Sequence, residues 1–164
     1  MTSPLIRRAT MADFAAILEL AEHLDAPQRE ALPDRFQKPE GEIRSRDRTA
    51  KLIADPDTFL EVAELEGRIV GIINAGIEPM PDFPQKRRLR SAKVRGIVVL
   101  PEFRRRGIAT ALMEALTAWA RAKQADEILL SVYDFNQPAA AFFAALGFAP
   151  LSHRLVRRLT RVDG

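Results

Sequence analysis

Ile97-Val98-Val99-Leu100-Pro101-Glu102-Phe103-Arg104-Arg105-Arg106-Gly107-Ile108-Ala109 is the stretch on which the reading of this 164-residue chain turns. Its first four residues are apolar and mostly β-branched, which predicts a buried strand closed by Pro101. From Gly107 onward, Ile108, Leu112, Leu116 and Trp119 recur at the spacing of one helical face, with Ala109, Met113 and Ala120 beside them. A helix is therefore expected over residues 107–123. The first N–H groups of such a helix have no partner inside it, and its dipole favours negative charge. Gly107 lets an anion approach the backbone, Ala109 keeps the approach open, and Arg104, Arg105 and Arg106 add fixed cationic forks. The ligand suggested is a polyphosphate. The competing reading is a solvated arginine turn in which Gly107 is only a flexible joint.

Downstream, Glu127-Ile128-Leu129-Leu130-Ser131-Val132-Tyr133 reads as a second buried strand. Asn136-Gln137-Pro138 then caps a helix carrying Ala139, Phe142, Phe143 and Leu146 on one side and stopped by Gly147. Strand, helix, strand in that order requires a crossover, so the class is α/β with a parallel or mixed sheet. Upstream, Leu5–Arg8 predicts a short strand, and Thr10 caps a helix bearing Phe14, Ile17, Leu18 and Ala21. A second helical stretch is expected over residues 26–36, a loop over 39–47 and a helix over 48–54. Residues 59–65 and 68–75 read as two strands of a hairpin turning at Glu66-Gly67. Residues 79–90 hold three prolines and then a basic run, a long loop of the kind that borders binding sites.

Length and composition fit one domain over residues 1–164, with 47% hydrophobic and 29% charged residues. Without cysteine there is no disulfide scaffold, thiolate metal site or cysteine nucleophile, and His23 and His153 are too few for a zinc cluster, so no metal is expected. Neither a signal-peptide core nor a run of about 20 apolar residues is present, which makes the cytoplasm the expected location and a membrane an unexpected partner. The net charge of +3 hides an asymmetry: residues 1–82 sum to −6 and residues 83–164 to +9. Such halves suit a protein that brings an anionic ligand to a cationic one. Nucleic acid is not expected as a partner, because aromatic residues do not alternate with the arginines as stacking platforms would.

The chain resembles the GNAT superfamily of N-acetyltransferases over most of its length, most strongly over residues 94–150. Arg104-Arg105-Arg106-Gly107-Ile108-Ala109 fits that family's Arg/Gln-x-x-Gly-x-Gly/Ala pyrophosphate loop, with Ala109 as the small alternative. Residues 136–148, from Asn136 through Leu146-Gly147-Phe148, fit its second signature. The resemblance implies a mixed, twisted sheet of about six or seven strands with splayed central strands, flanked by about four helices. It implies acetyl-coenzyme A between the strands over residues 94–100 and 128–133, and a primary amine of a small molecule or peptide N-terminus as acceptor. Backbone groups of Ile97, Val98 and Val99 would pair with the pantetheine arm, and the amides of Arg105, Arg106, Gly107, Ile108, Ala109 and Thr110 would hold the pyrophosphate beside Arg104. Asn136, Phe142 and Phe143 would meet the pantetheine region, Asn136 serving equally well as a helix cap. The Val99 N–H would stabilise the oxyanion formed when the amine attacks the thioester. A homodimer is common among such proteins.

Here the sequence departs from the family pattern. The tyrosine acid of the family's Phe-Tyr pair is Phe143, which cannot donate a proton, and the usual strand carboxylates are replaced by Arg95, Gly96 and Ser131. Tyr133, two residues from Ser131 and so on the same face of the expected strand, is a stand-in acid or substrate contact. Glu78 or cleft water is the candidate base. Glu19, Glu22, Asp25, Glu30 and Asp34 would draw a cationic acceptor, whereas Arg95 and the basic run over residues 86–90 would suit an amine bearing a carboxylate or phosphate. The alternative to catalysis is a non-catalytic acyl-coenzyme A-binding module.

Overall fold

The computed structural model describes residues 2–159, which form two compact units, residues 2–131 and residues 132–159. In the first unit, β1 (Leu5–Arg8), β2 (Thr58–Leu65), β3 (Arg68–Ile77), β4 (Ser91–Val99) and β5 (Glu127–Leu129) lie in that order in one sheet. Neighbours from β1 to β4 are antiparallel, and β4 pairs with β5 in parallel, so the sheet is mixed. The β2–β3 hairpin turns on Glu66 and Gly67 at φ 51° and 78°. Two left-handed residues make the turn whose twist matches that of the strands it joins.

Side-chain alternation divides the core between the two faces of the sheet. On one face α1 (Phe14–Ala31) presses Ile17 and Leu20 onto Leu60, Val62, Ile72, Val98 and Leu100, and Leu52 and Ile53 of α2 (Arg46–Ala54) join them. On the other, α3 (Ile108–Ala122) buries Ile108, Leu112, Met113, Leu116 and Ala120. The crossing of α3 over β3 is close: a Cβ on Gly71 would lie 3.3 Å from Ile108 Cγ2 and 3.4 Å from Leu112 Cδ1. Phe59 of β2 meets Trp119 of α3 with ring centroids 5.3 Å apart.

Four expectations are corrected. The two helical stretches expected before residue 36 are one helix running through Pro27 to Ala31. The proline forfeits a single backbone bond, and the Glu22–Arg29 ion pair spans it. The helix expected over 48–54 begins at Arg46, because the Ser45 hydroxyl accepts from the Arg48 N–H at 3.2 Å and caps it. β4 starts at Ser91 rather than Val94. Lastly, the sheet has five strands rather than six or seven among the described residues. A strand exists only where a neighbour completes its ladder, and residues 130–133 and 149–159 join none.

In the second unit, α4 (Gln137–Ala145) begins at Asn136, whose Oδ1 accepts from the Ala139 N–H at 3.3 Å. Phe143 sits edge-on to Phe142 and Phe148, with centroids 5.1 and 5.6 Å away. Gly147, at φ 89°, ends the helix in the left-handed conformation that a glycine adopts without strain.

Among the described residues Glu61 of β2 is the one carboxylate pushed above its ordinary range, because burial penalises its charge more than Arg8 and Arg7 compensate. The folded state thus holds this proton more tightly than the unfolded chain, and stability falls as pH rises from about 4.5 through the higher folded value. Glu61→Gln is expected to raise the melting temperature at pH 7 and to flatten its decline between pH 4 and 7. A melting curve shifted downward at neutral pH contradicts this assignment.

Candidate active site

The site begins where β4 leaves β5. Their pairing covers only Ser91↔Glu127, Ala92↔Ile128 and Lys93↔Leu129. That end is clamped: the Ser91 hydroxyl donates to Glu127 Oε1 at 2.6 Å, the Arg90 N–H to Asp126 Oδ2 at 2.8 Å, and the Asp126 N–H to Arg90 O at 2.7 Å. Beyond Lys93 the clamp ends, while β4 continues to Val99 paired, among the described strands, with β3 alone. The Leu100 N–H donates to Val70 O at 2.9 Å, and Val99 stands opposite Gly71. By the alternation of an antiparallel ladder, Val98 turns its backbone toward β3, and Ile97 and Val99 turn theirs to the open edge. Of the three residues expected to offer backbone groups to a ligand, two face the opening.

β4 carries a bulge that the sequence reading did not anticipate. Asn74 pairs with Gly96 and Ala75 with Val94, which leaves Arg95 as an extra residue on β4. Arg95 and Gly96 consequently share the face covered by α1 and α2. A Cβ on Gly96 would meet Leu24 Cδ2 of α1 at 2.8 Å, and one on Gly76 would meet Arg95 Nη2 at 2.5 Å. The adjacent Arg95-Gly96 pair was the available signal, since an isolated glycine in a strand pattern marks a bulge or a close approach.

The loop after β4 is a short turn over Pro101–Phe103 followed by residues 104–107. Arg104 is used structurally: its Nε donates to Val99 O at 3.0 Å, which ties the loop to the open edge of β4. The Arg106 guanidinium lies 5.3 Å above the Phe103 ring. Arg105 and Gly107 are left-handed at φ 62° and 77°. Gly107 caps α3, and the Ala111 N–H is the one that returns to Gly107 O, at 3.0 Å. A left-handed residue followed by a helical one turns successive amides into one concavity, an anion nest, here made by Gly107 and Ile108 ahead of Ala109 and Thr110. A Cβ on Gly107 would have nothing within 4 Å, so the glycine borders open space at the mouth of the nest.

The acid and base candidates are dispersed. β5 ends at Leu129, so Ser131 and Tyr133 do not share a strand face, and no strand alternation aims Tyr133. Tyr133 belongs to the second unit, where its ring stacks on Phe135 at 5.9 Å; Asn136, Phe142 and Phe143 lie there too. Glu78 follows β3 directly, and its N–H donates to Ser91 O at 2.9 Å, which holds its backbone at the paired end of β4.

On α1, the expected acceptor-drawing carboxylates Glu19, Glu22 and Asp25 are already engaged. Asp25 accepts from Arg44 at 2.7 and 3.3 Å, Glu22 pairs with Arg29, and Glu19 lies 3.8 Å from Arg68. A cavity of about 270 Å³ lies between this flank of α1 and residues 38–44, lined by Leu18, Ala21, Asp25, Lys38, Ile43 and Arg44 among others.

The model of the acetyltransferase (GNAT) family matches residues 18–148. An N-alpha-acetyltransferase of Sulfurisphaera tokodaii is 37% identical over 92 residues, 53% of this chain and 54% of that protein. The chain thus spans about half the length of this curated relative. A mutant protein from Bacillus halodurans superposes with a TM-score of 0.89 at 24% identity, covering 95% of this chain and 99% of that one. An aminoglycoside N-acetyltransferase solved in complex with CoA gives a TM-score of 0.72 at 20% identity, covering 99% and 98%. These two structures have the same fold.

Proposed function

Because this chain belongs to the GNAT acetyltransferase family, we propose that it transfers an acetyl group from acetyl-coenzyme A to a primary amine of a small molecule or a peptide N-terminus. The observation that carries the reading is the bared edge of β4, which offers Ile97 and Val99 backbone groups and leads directly into the nest at Gly107. In this reading the nest holds the pyrophosphate through amides and the dipole of α3. The pantetheine amides pair with β4 as an added strand would.

The chemistry asks little of side chains. A neutral amine attacks the thioester carbon, the carbonyl electron pair moves to oxygen, and the Val99 N–H stabilises that charge. Collapse expels the thiolate, and the amine's surplus proton passes to water, because Glu78, held opposite Ser91, stands about eight strand positions from Val99. A thiol pKa of about 8.5 lets the thiolate depart near neutral pH without a dedicated acid, so Phe143 in place of a tyrosine is compatible with turnover.

The test is to mix protein, acetyl-coenzyme A and a varied panel of amines and to follow free thiol. Release about tenfold or more above the amine-free blank is expected for at least one class of amine. Tight coenzyme A binding without amine-dependent release replaces the transferase with an acyl-coenzyme A-binding module, a reading favoured by Arg95 and Gly96 where carboxylates were expected. Absence of binding overturns both.

A further inference from the structure

We propose that this chain forms an exchanged dimer, in which the second unit of one copy lies along β5 of the other and closes a sheet that one chain leaves open. The exchange stands apart from the transferase reading; only its consequence for the ligand site rests on that reading. Its basis is a pair of complementary apolar surfaces carried by the same chain.

The donor is the second unit. It has 28 described residues, 132–159, and Phe143 is the one buried side chain among them. A segment well under the roughly 40 residues that fold alone cannot hold itself with one buried ring. Leu151, Leu155 and Leu159 are 81%, 91% and 81% exposed. Spaced by four, they share one face of an extended segment that follows Pro150, a residue tolerated at the start of a strand. Residues 149–159 nonetheless join no ladder among the described residues. Three exposed leucines in line require a cover, and extended backbone outside any ladder requires a sheet edge.

The acceptor is the edge of the first unit. β5 is the last strand of the sheet, and among the described strands β4 alone pairs with it. Ile128, Leu129 and Leu130 are consecutive apolar residues left half-buried. A strand of a parallel pair is apolar on both faces when both are covered, so this run suits an interior that one chain does not complete. With neither charge nor proline in it, the run is a template for a further strand. Both surfaces are exposed at once in each copy, and each copy carries one of each. Reciprocal exchange satisfies two chains together and closes on a two-fold axis, with no donor left over for a third copy. The 28 exchanged residues match the roughly 20–30 residues a side of a stable interface. In the transferase reading, Asn136, Phe142 and Phe143 then meet the pantetheine arm from the second copy, and a complete ligand site needs two chains.

Sedimentation equilibrium of the full chain is expected to give twice the chain mass of 18.3 kDa, and a monomer overturns the inference. Leu155→Glu combined with Leu159→Glu places two charges on the exchanged face. Both leucines are exposed within one chain, so circular dichroism should not change, while the dimer dissociation constant rises about 100-fold or more. Should that chain not fold, Leu155→Ser reads the same contact through a rise of about fivefold. A dimer indifferent to these changes uses another surface and overturns the inference. Because the chain has no cysteine, introduced ones report position. Leu130→Cys and Ser152→Cys chains of different tag length, co-expressed and treated with a flexible bismaleimide, are expected to cross-link with each other. Cross-links confined to pairs of Ser152→Cys chains, closure within single chains carrying both cysteines, or no cross-link at all each overturn the exchange. Calorimetric affinity for coenzyme A should fall about tenfold or more in the dissociated double variant. Unchanged affinity there overturns the shared site alone, and no binding by the unaltered dimer overturns the transferase reading while the exchange stands.

Discussion

Gly107→Val is expected to abolish measurable coenzyme A binding while leaving the fold in place. The residue is left-handed at φ 77°, a region that costs an ordinary L-residue about 1–2 kcal/mol and a β-branched one more. That strain alone lowers the melting temperature by a few degrees. The larger effect is steric. Nothing lies within 4 Å of the place a Cβ would occupy, so the new side chain starts into open space, where an anion must reach the amides of Ile108, Ala109 and Thr110. Gly107→Asn separates the two effects, because asparagine tolerates the left-handed region far better than valine does. Calorimetric titration should show a loss of about 30-fold or more in affinity for both, which corresponds to about 2 kcal/mol. Asparagine binding like glycine moves the anion site elsewhere.

The largest expected loss of stability is at Asp13. Its carboxylate is almost wholly buried, accepts Arg7 Nη1 and Nη2 at 2.8 and 2.9 Å, and takes the Thr10 N–H at 2.8 Å just before α1. Arg7 reaches Glu64 as well, its Nε 2.8 Å from Oε2, so one guanidinium joins β1, β2 and the start of α1. Removing one partner of a buried pair leaves the other uncompensated, which costs about 3–5 kcal/mol. Since Arg7 remains partly solvated and keeps Glu64, Asp13→Ala is expected to cost about 2–3 kcal/mol in urea unfolding. The Arg7 guanidinium, aided by Thr10, holds the Asp13 carboxyl below its ordinary value of 3.8. A depressed acid contributes stability that is complete above the unfolded value and disappears as pH falls through the folded one. The gap between wild type and Asp13→Ala should accordingly narrow only below about pH 4. A gap that narrows near neutrality, or a loss under about 0.5 kcal/mol, excludes the pair as the anchor of α1.

Some of this was legible from residue order alone, for local reasons. The apolar period of residues 108–120 and the β-branched run before Pro101 specify α3 and the end of β4 whatever surrounds them, and Asn136 and Gly147 punctuate α4 by cap chemistry. The Glu66-Gly67 turn is equally local. What escaped depends on partners distant in the chain. The length of β5 is set by how far β4 stays beside it, and propensity over residues 130–133 does not report that. Pro27 ends a helix by local rules, yet ion pairs and packing on either side carry α1 past it. Arg104 reads as a phosphate ligand in the motif, and only the folded loop gives it to the Val99 carbonyl.

One inserted residue gives β4 two different jobs. Before Arg95 the strand is in phase with β5 and helps to close the sheet; after it, the phase shifts by one and the backbone groups of Ile97 and Val99 fall on the bared side. Deleting Arg95 would restore an uninterrupted ladder with Val94 still opposite Ala75 on its present face, because only the inserted residue breaks the alternation. Lost with it would be the bend and added twist that the bulge gives β4 where it parts from β5, while the motif around Gly107 stayed intact. Homologous chains that keep the glycine loop but lack this irregularity would therefore have to open their ligand groove by some other local distortion.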